Sequence, residues 1–261
     1  MRIALGLEYD GAAFCGWQTQ PGGCGVQDHL ERALAKFVAS PVETTAAGRT
    51  DAGVHASAQV VHFDSPVERD ENSWVRGTNS HLDESARVLW ARTVPGDFHA
   101  RFSALSRTYR YLLLDDPVAP AILRRRVGWY HKALDVAAMQ EGARTLLGEH
   151  DFSAFRDAQC QAKSPVRQLQ AVEVERRGVL VVFTFRANAF LHHMIRNVVG
   201  SLVYVGAGKQ APAWMGELLA SKDRRLAAPT FIPDGLYLAG VEYDRAFGLP
   251  QFRAQALLEA P

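Results

Sequence analysis

Hydrophobic and polar side chains alternate along the first ten residues. Apolar side chains stand at every second position, at Ile3, Leu5, Leu7 and Tyr9. A period of two is typical of a β-strand with one face in the core, so we expect such a strand here. After a Gly-rich segment the period lengthens to three or four residues, with apolar side chains at Val26, Leu30, Ala33, Leu34 and Phe37. This second spacing predicts an amphipathic helix.

The same two periods predict the remaining elements. In the first half we expect strands within 42–47, 57–64 and 86–94 and a helix near 69–80. In the second half we expect strands over 106–114, 169–177, 179–187 and 236–244, with a hairpin turn near Arg177-Gly178. Asp135 is placed to cap a helix over 135–150. A further helix is expected from Phe190, with an apolar stripe at Leu191, Met194, Ile195, Val198, Val199 and Leu202.

This order of elements predicts an α+β fold with two lobes. We expect residues 1–104 and 105–261 to share one mostly antiparallel sheet, with helices packed on one face. A weak internal echo is compatible with two similar lobes, with chance as the alternative: "EYDGAAF" and "TFRANAF" each combine a strand, a small-residue loop and a phenylalanine before a helix.

Composition restricts the class of protein. With 48% hydrophobic and 22% charged residues the chain can bury a large core, and its net charge of +1 produces no overall field that favours nucleic acid. Three cysteines without a CxxC pair indicate neither a disulfide framework nor a zinc site, so we expect reduced thiols and a cytoplasmic location. The N-terminus holds no apolar run of the length of a signal peptide or membrane span.

Positive charge is nevertheless concentrated locally. Between residues 101 and 132 there are seven Arg and Lys and two Asp, and seven minus two leaves an excess of five. Aromatic residues are interleaved at Phe102, Tyr109, Tyr111, Trp129 and Tyr130. Phosphates require cations and unstacked bases require planar partners, so this segment is a candidate RNA-binding surface; an exposed basic strand edge is the alternative. The candidate phosphate contacts are Arg107, Arg110, Arg124, Arg125 and Arg126, together with His193 and Arg196 from the late helix.

The stretch "AGRTDAGVHA" (47–56) places an acid beside a base in a loop of small residues. Arg49 and Asp51 are two positions apart, so their side chains point the same way in an extended loop. A neighbouring guanidinium favours the ionised form of a carboxylate, which suits a nucleophile or an electrostatic stabiliser better than a general acid. The alternative is an ordinary loop salt bridge with a turn-forming aspartate.

Histidines near this loop raise the possibility of a metal site. Asp51, His55 and His62 have a spacing that matches no established metal-binding motif. His192 and His193 are adjacent and would diverge on a helix, so they cannot both face one ion, and we expect a phosphate contact or an exposed face and not a metal site.

Five motifs in order resemble the TruA family of tRNA pseudouridine synthases over nearly the whole chain. "AGRTDAGVHA" resembles the active-site motif of that family, and "LEYDGAAFCGWQ" with "VQDHLERAL" resembles its opening. "RFSALSRTYRYLL" looks like its central basic and aromatic strand, "FLHHMIRNVVGSL" like its late helix and "PDGLYL" like its last strand. The resemblance implies a mixed sheet shared by two lobes with a basic cleft, and a homodimer that uses no cofactor and no metal.

The resemblance also implies an activity and roles for individual residues. The activity is the isomerisation of uridine to pseudouridine at positions 38, 39 and 40 in the anticodon stem-loop of tRNA. Asp51 matches the nucleophile and Arg49 the arginine paired with it. Tyr109 matches the tyrosine that packs on the target base, and Leu236 matches an apolar residue that lines the pocket.

Two other functions remain compatible with the residues alone. The chain could be a non-catalytic RNA-binding protein, or a metal-dependent nucleotide hydrolase that uses Asp51, His55 and His62. Whether the aspartate attacks C1′ or C6 of the nucleotide, or another path operates, is left open by the sequence.

Overall fold

The computed structural model describes residues 1–250 and divides the chain into two units. Of the described residues, the first unit contains Met1–Leu105 and the stretch 237–250, and the second contains Ser106–Leu236. The expected division into lobes 1–104 and 105–261 stays a prediction.

The helices and strands follow in chain order. The elements before the boundary are β1 (Arg2–Tyr9), α1 (Val26–Val38), β2 (Thr45–Ala46), β3 (His55–Asp64), α2 (Glu71–Asn79) and β4 (Ala86–Val94). The next are β5 (Ala104–Asp115), β6 (Gly128–Tyr130), α3 (Val136–Arg144), β7 (Gly148–Asp151), β8 (Val166–Arg177) and β9 (Leu180–Ala187). The chain continues with α4 (Met194–Gly206), α5 (Trp214–Ser221) and β10 (Leu236–Tyr243).

The strands of the first unit run in the order β4, β1, β3 and β10, with β2 paired to β3. All of these pairs are antiparallel except β10 with β3, where Tyr237 lies opposite His55. In the second unit β5, β9, β8 and β7 form an antiparallel series, and β6 adds to β5 in parallel. The predicted α+β class with a mixed, mostly antiparallel sheet is therefore confirmed.

Strand β1 is buried on both faces, which corrects the expectation of one buried face. Ala4, on the side opposite Ile3 and Leu5, is fully buried as well. A cluster that includes Phe98 and Val60 covers this second side, with Trp90 and Tyr243 packed at its edge. The alternation of sizes in β1 reflects two apolar environments, one of which accepts only small side chains.

The helices of the first unit pack on β3 through an aromatic cluster. The Trp74 ring of α2 lies 5.4 Å from the ring of Phe37 and 5.3 Å from the ring of Phe63. Gly77 permits this close approach, because a Cβ at that position would lie only 2.1 Å from Phe37.

The second unit confirms two local predictions and corrects a third. Gly178, with φ at +54°, turns the β8–β9 hairpin, and Asp135 Oδ1 accepts a hydrogen bond from Ala138 N at 2.9 Å and caps α3. Helix α3 ends at Arg144, earlier than predicted, because Gly148–Asp151 leave the helix to pair with β8. Helix α4 packs on α3 where Gly206 faces Met139.

Within residues 1–250, none of the helices combines the length and the apolar character that crossing a membrane requires.

Candidate active site

The Asp51 loop, which we define as residues 47–54, is a short hydrogen-bonded turn between β2 and β3. Val54 N donates to Asp51 O at 3.1 Å, and Gly53 has φ at +80°, a conformation that favours glycine. Asp51 therefore opens a tight turn, and its side chain is half-buried. A turn of this kind limits the directions in which the carboxylate can point.

A Gly-rich segment, residues 11–25, packs against the backbone of the Asp51 loop. Trp17 N donates to Thr50 O at 2.9 Å. Gly16, with φ at +97°, lies so close that a Cβ would stand 3.0 Å from Thr50 O and 3.1 Å from Ala52 N. Any larger residue at position 16 would push against the backbone that holds Asp51.

A disulfide between Cys15 and Cys24 closes this supporting segment, with the two Cα atoms 5.4 Å apart. The expectation of three reduced thiols was wrong for this pair, whereas Cys160 remains a free thiol. Sequence spacing does not reveal such a pair, because the turn that returns residue 24 to residue 15 is created by tertiary contacts.

Buried polar side chains hold the other side of the Asp51 loop. The hydroxyl groups of Tyr9 and Thr50 form a hydrogen bond of 2.8 Å, and Gln59 Nε2 donates to Gly48 O at 2.7 Å. Gln59 Nε2 also donates to Tyr9 Oη at 3.4 Å. Gly48 and Thr50, on either side of Arg49, are thus held by Gln59 and Tyr9, which also bond to each other.

The histidines of the proposed metal set are occupied in backbone contacts. His55 is buried, its Nδ1 accepts from Gly11 N at 3.1 Å, and its ring stacks on Tyr237 at 4.6 Å. Nδ1 of His62, which is also buried, accepts from Ala100 N at 3.1 Å. Burial, followed by the positive charge of nearby groups, lowers the pKa of His62 to about 4. These two rings are packed into the first unit as structural groups.

Arg49 lies on the exposed side of the loop. Its pairing with Asp51 and its role in substrate binding stay predictions.

Tyr109 lies on the buried face of β5. It shares that face with Arg107 and Tyr111 and stands opposite Phe185 of β9. The ring of Phe190 contacts it edge-on at 5.1 Å. The sequence left open which face of this strand is covered, and the structure shows that it is the face with the tyrosines.

Leu236 begins β10 and is buried. Its backbone N donates to Pro233 O at 2.8 Å, and the preceding Gly235 accepts from Leu112 N at 2.9 Å. A Cβ at Gly235 would lie 2.3 Å from Leu112 O, so the chain passes close to β5 here. Its role as a residue that lines a pocket stays a prediction.

The predicted phosphate contacts of the second unit differ in exposure. Arg107 is buried and donates to Asn188 O at 2.8 Å, and Arg110 is half-buried. The other three lie in what we call the basic segment, residues 116–127. Arg124 and Arg125 are exposed there and Arg126 is half-buried.

His192 and His193 do not lie on a helix, contrary to the prediction. Helix α4 begins at Met194, and His193 precedes it with φ at +59°. Because the chain turns there, the two rings stack at 3.9 Å and both face Asp157, whose carboxylate lies 2.8 Å from His193 Nδ1 and 3.6 Å from His192 Nδ1. Partial burial of Asp157 opposes ionisation, but hydrogen bonds from Gln159 N and His193 outweigh it and lower the pKa of Asp157.

Arg196, in the first turn of α4, is held by a reciprocal contact with Phe231. Its Nε donates to Phe231 O at 2.9 Å, and Phe231 N donates to Arg196 O at 3.1 Å. The Phe231 carbonyl therefore holds one nitrogen of this half-buried guanidinium in place. A phosphate contact by this residue stays a prediction.

Sequence reasoning missed the residues that support the site. The apolar period places Tyr9 on the apolar face of β1, and it predicts no role for Gln59. One signal was available, since Gln59 is the only amide in β3 and its neighbours Ala58, Val60 and Val61 are apolar. A buried amide requires hydrogen-bond partners, and the nearest loop supplies them.

Comparison with known proteins identifies the family. The profile described as tRNA pseudouridine synthase matches residues 7–103 and 143–244. The tRNA pseudouridine synthase A of Herminiimonas arsenicoxydans is 59% identical over 98% of this chain and 95% of its own length. The proteins of the same name from Paraburkholderia phytofirmans and Dechloromonas aromatica are each 59% identical, over 95% and 96% of this chain and 92% and 95% of their own lengths.

A solved Cbf5–Nop10–Gar1 complex is 14% identical, with a TM-score of 0.35 over 77% of this chain and 45% of that one, a likeness too low to add to the assignment. The profile match and the relatives agree with the five motifs. The chain belongs to the tRNA pseudouridine synthase family.

Proposed function

We propose that this protein isomerises uridine to pseudouridine in tRNA, at positions 38, 39 and 40 of the anticodon stem-loop, with Asp51 as the nucleophile. The observation that supports this most directly is the Asp51 loop: a half-buried carboxylate at the head of a hydrogen-bonded turn, in a chain of the tRNA pseudouridine synthase family. The relatives named above carry the name tRNA pseudouridine synthase A.

The chemistry requires few groups. The N1–C1′ bond of uridine breaks, the uracil turns, and a C5–C1′ bond forms; C5 loses a proton and N1 gains one. Substrate and product are isomers, so no electrons are exchanged with a second reactant. A carboxylate can act as the nucleophile that divides this exchange into two steps, by forming a temporary bond to the nucleotide.

The remaining residues receive roles in binding the base. Tyr109 would pack on the uracil, Leu236 would line the pocket, and Arg49 would pair with Asp51 when substrate is bound. Tyr109 is held by Phe190 and by its strand, and a rigid ring is a suitable surface for a base. The detached uracil also needs a site without competing water, which the buried Leu236 favours.

The target nucleotide must leave its stack, at a cost of a few kcal/mol. Phosphate contacts from the basic segment, and from Arg107, Arg110, His193 and Arg196, would offset that cost. A basic cleft, a homodimer without cofactor or metal and a cytoplasmic location complete the proposal.

The experiment that tests the proposal uses tRNA labelled with tritium at C5 of uridine. Pseudouridine formation must release that label to water, and mapping the product identifies the modified positions. Asp51→Asn is expected to lower release by about a thousandfold or more, because it removes the nucleophile but keeps the shape of the side chain. Its affinity for tRNA is expected to stay within about threefold of wild type, since the phosphate contacts are unchanged.

Asp97→Asn is the matched control, an exposed aspartate of the same unit. It is expected to retain wild-type release. A wild-type protein that binds tRNA but releases no tritium would establish a non-catalytic binder. Loss of activity with a chelator, restored by a divalent metal, would instead support the metal-dependent alternative.

A further inference from the structure

We infer that Tyr9 is a positioning residue for the reaction, and that its hydroxyl group sets the direction of Asp51 through Thr50. This inference rests on the proposed function. Tyr9 belongs to β1 and acts, in this view, entirely through the Asp51 loop.

The hydroxyl lies at the centre of a continuous set of hydrogen bonds. It is 2.8 Å from Thr50 Oγ1 and accepts from Gln59 Nε2 at 3.4 Å. The same Nε2 donates to Gly48 O at 2.7 Å, and Val60 N donates to Gln59 Oε1 at 3.2 Å. Because Gln59 Nε2 donates to Tyr9, the phenol proton is available for Thr50.

Thr50 is held from two directions, and it is the residue directly before Asp51. Its hydroxyl is bonded to Tyr9, and its carbonyl accepts from Trp17 N at 2.9 Å. With the side chain and the carbonyl both fixed, the peptide that joins Thr50 to Asp51 has little rotational freedom. The nucleophile therefore starts each turnover with its direction set by its neighbours.

The Tyr9 ring cannot easily move to release this contact. It is 4% exposed and packs against the rings of Phe14 at 6.4 Å and Trp17 at 6.0 Å. Burial raises the pKa of Tyr9 to about 12, so its hydroxyl stays neutral at any pH at which the reaction would be measured. The contribution of Tyr9 is thus one of geometry and not of proton transfer.

The first test is Tyr9→Phe, which removes one oxygen and leaves the ring. We expect kcat for tritium release to fall about tenfold, because a nucleophile displaced by a fraction of an ångström reacts more slowly. KM and the Kd for tRNA are expected to remain at wild-type values. The matched control is Tyr243→Phe, which removes a hydroxyl that donates to Ala100 O at 2.6 Å in the same unit.

If Tyr9 had only a structural role, Tyr9→Phe would lower the melting temperature and would not lower kcat selectively over KM. Each variant is therefore also measured for its melting temperature. The inference is overturned if Tyr9→Phe and Tyr243→Phe have the same kcat, or if the loss in Tyr9→Phe appears in KM alone.

Substitutions of Thr50 provide a second, independent arm. Thr50→Val removes the bonded hydroxyl at nearly constant shape and should reproduce the loss in kcat. Thr50→Ser keeps the hydroxyl and should retain most of the wild-type kcat. The double variant Tyr9→Phe with Thr50→Val should be no slower than the slower single variant, because both changes break one hydrogen bond. Additive losses in the double variant would contradict the inference.

The outcomes separate this inference from the function on which it rests. If the wild-type protein releases no tritium from uridines 38–40, the proposed function fails, and the inference fails with it. If the wild-type protein is active and Tyr9→Phe equals it, only the inference fails.

Discussion

The Asp51 loop and the basic segment are both loops between strands, but they are built in opposite ways. The Asp51 loop is held by buried, uncharged contacts: Tyr9 and Gln59 on one side and Trp17 on the other. The basic segment is held by Val118 N and Trp129 Nε1, which bond to Asp116, and by local backbone turns such as Arg126 N to Leu123 O. Its middle is exposed, and Ile122 is 95% exposed.

This difference fits the division of work that the proposed function requires. A reacting group needs a fixed direction, which neutral hydrogen bonds and close packing provide at any salt concentration. Phosphates on a flexible RNA require only positive charge within reach, which long exposed arginines supply. Changes near Asp51 should therefore alter kcat or stability, and changes in the basic segment should alter affinity and its salt dependence.

The largest expected effect is a loss of stability at acid pH, when the buried ring of His62 becomes protonated. The folded-state pKa of His62 is about 4, below the ordinary value of 6.5, so the unfolded chain binds the proton first. The contribution of neutral His62 to the free energy of unfolding is fully present above pH 6.5. It is lost as the pH falls towards 4, and the loss is at most about 3 kcal/mol. His62→Asn keeps an acceptor for Ala100 N and cannot titrate. Urea unfolding between pH 4 and 7.5 should show a steeper loss for wild type than for this variant.

Parallel pH curves for wild type and His62→Asn would show that the stability of the first unit does not depend on a neutral His62. The first unit would then rely less on neutral contacts than the comparison of the two loops assumes.

The second expected effect is on the segment that supports the Asp51 loop. Cys24→Ser opens the ring closed with Cys15 and should lower the free energy of unfolding by about 2–3 kcal/mol under oxidising conditions. In the presence of dithiothreitol the wild type and the variant should have equal stability. Cys160→Ser, which changes the free thiol, is the control and should not respond to the reductant in this way.

The smallest expected effect is on the basic segment. Arg124→Gln with Arg125→Gln should weaken tRNA binding about tenfold and reduce the slope of log K against log salt by about two, with kcat unchanged at saturating tRNA. The control is Arg69→Gln with Arg76→Gln, two exposed arginines of the first unit. A fall in kcat without a change in affinity would break the division between the two loops.

Particular elements show how far the sequence could be interpreted. Apolar period predicted most of the helices and strands, since burial selects apolar side chains at the spacing of each element. It was wrong at His192-His193, because a continuous apolar stripe does not show that the backbone turns before Met194. It also missed the second buried face of β1, because small residues such as Ala4 look like exposed positions in a pattern of sizes.

The sequence by itself determined the class of the fold, the family and the identity of the candidate nucleophile. These depend on local periodicity and on short motifs whose residues are neighbours in the chain. Only the tertiary structure decided that Tyr9, Gln59 and Trp17 hold the residues around Asp51, that Cys15 meets Cys24, and that Asp157 faces two histidines. The physical reason is that a hydrogen bond or a disulfide depends on atoms meeting within a few ångströms, and folding brings together residues that no spacing in the sequence connects.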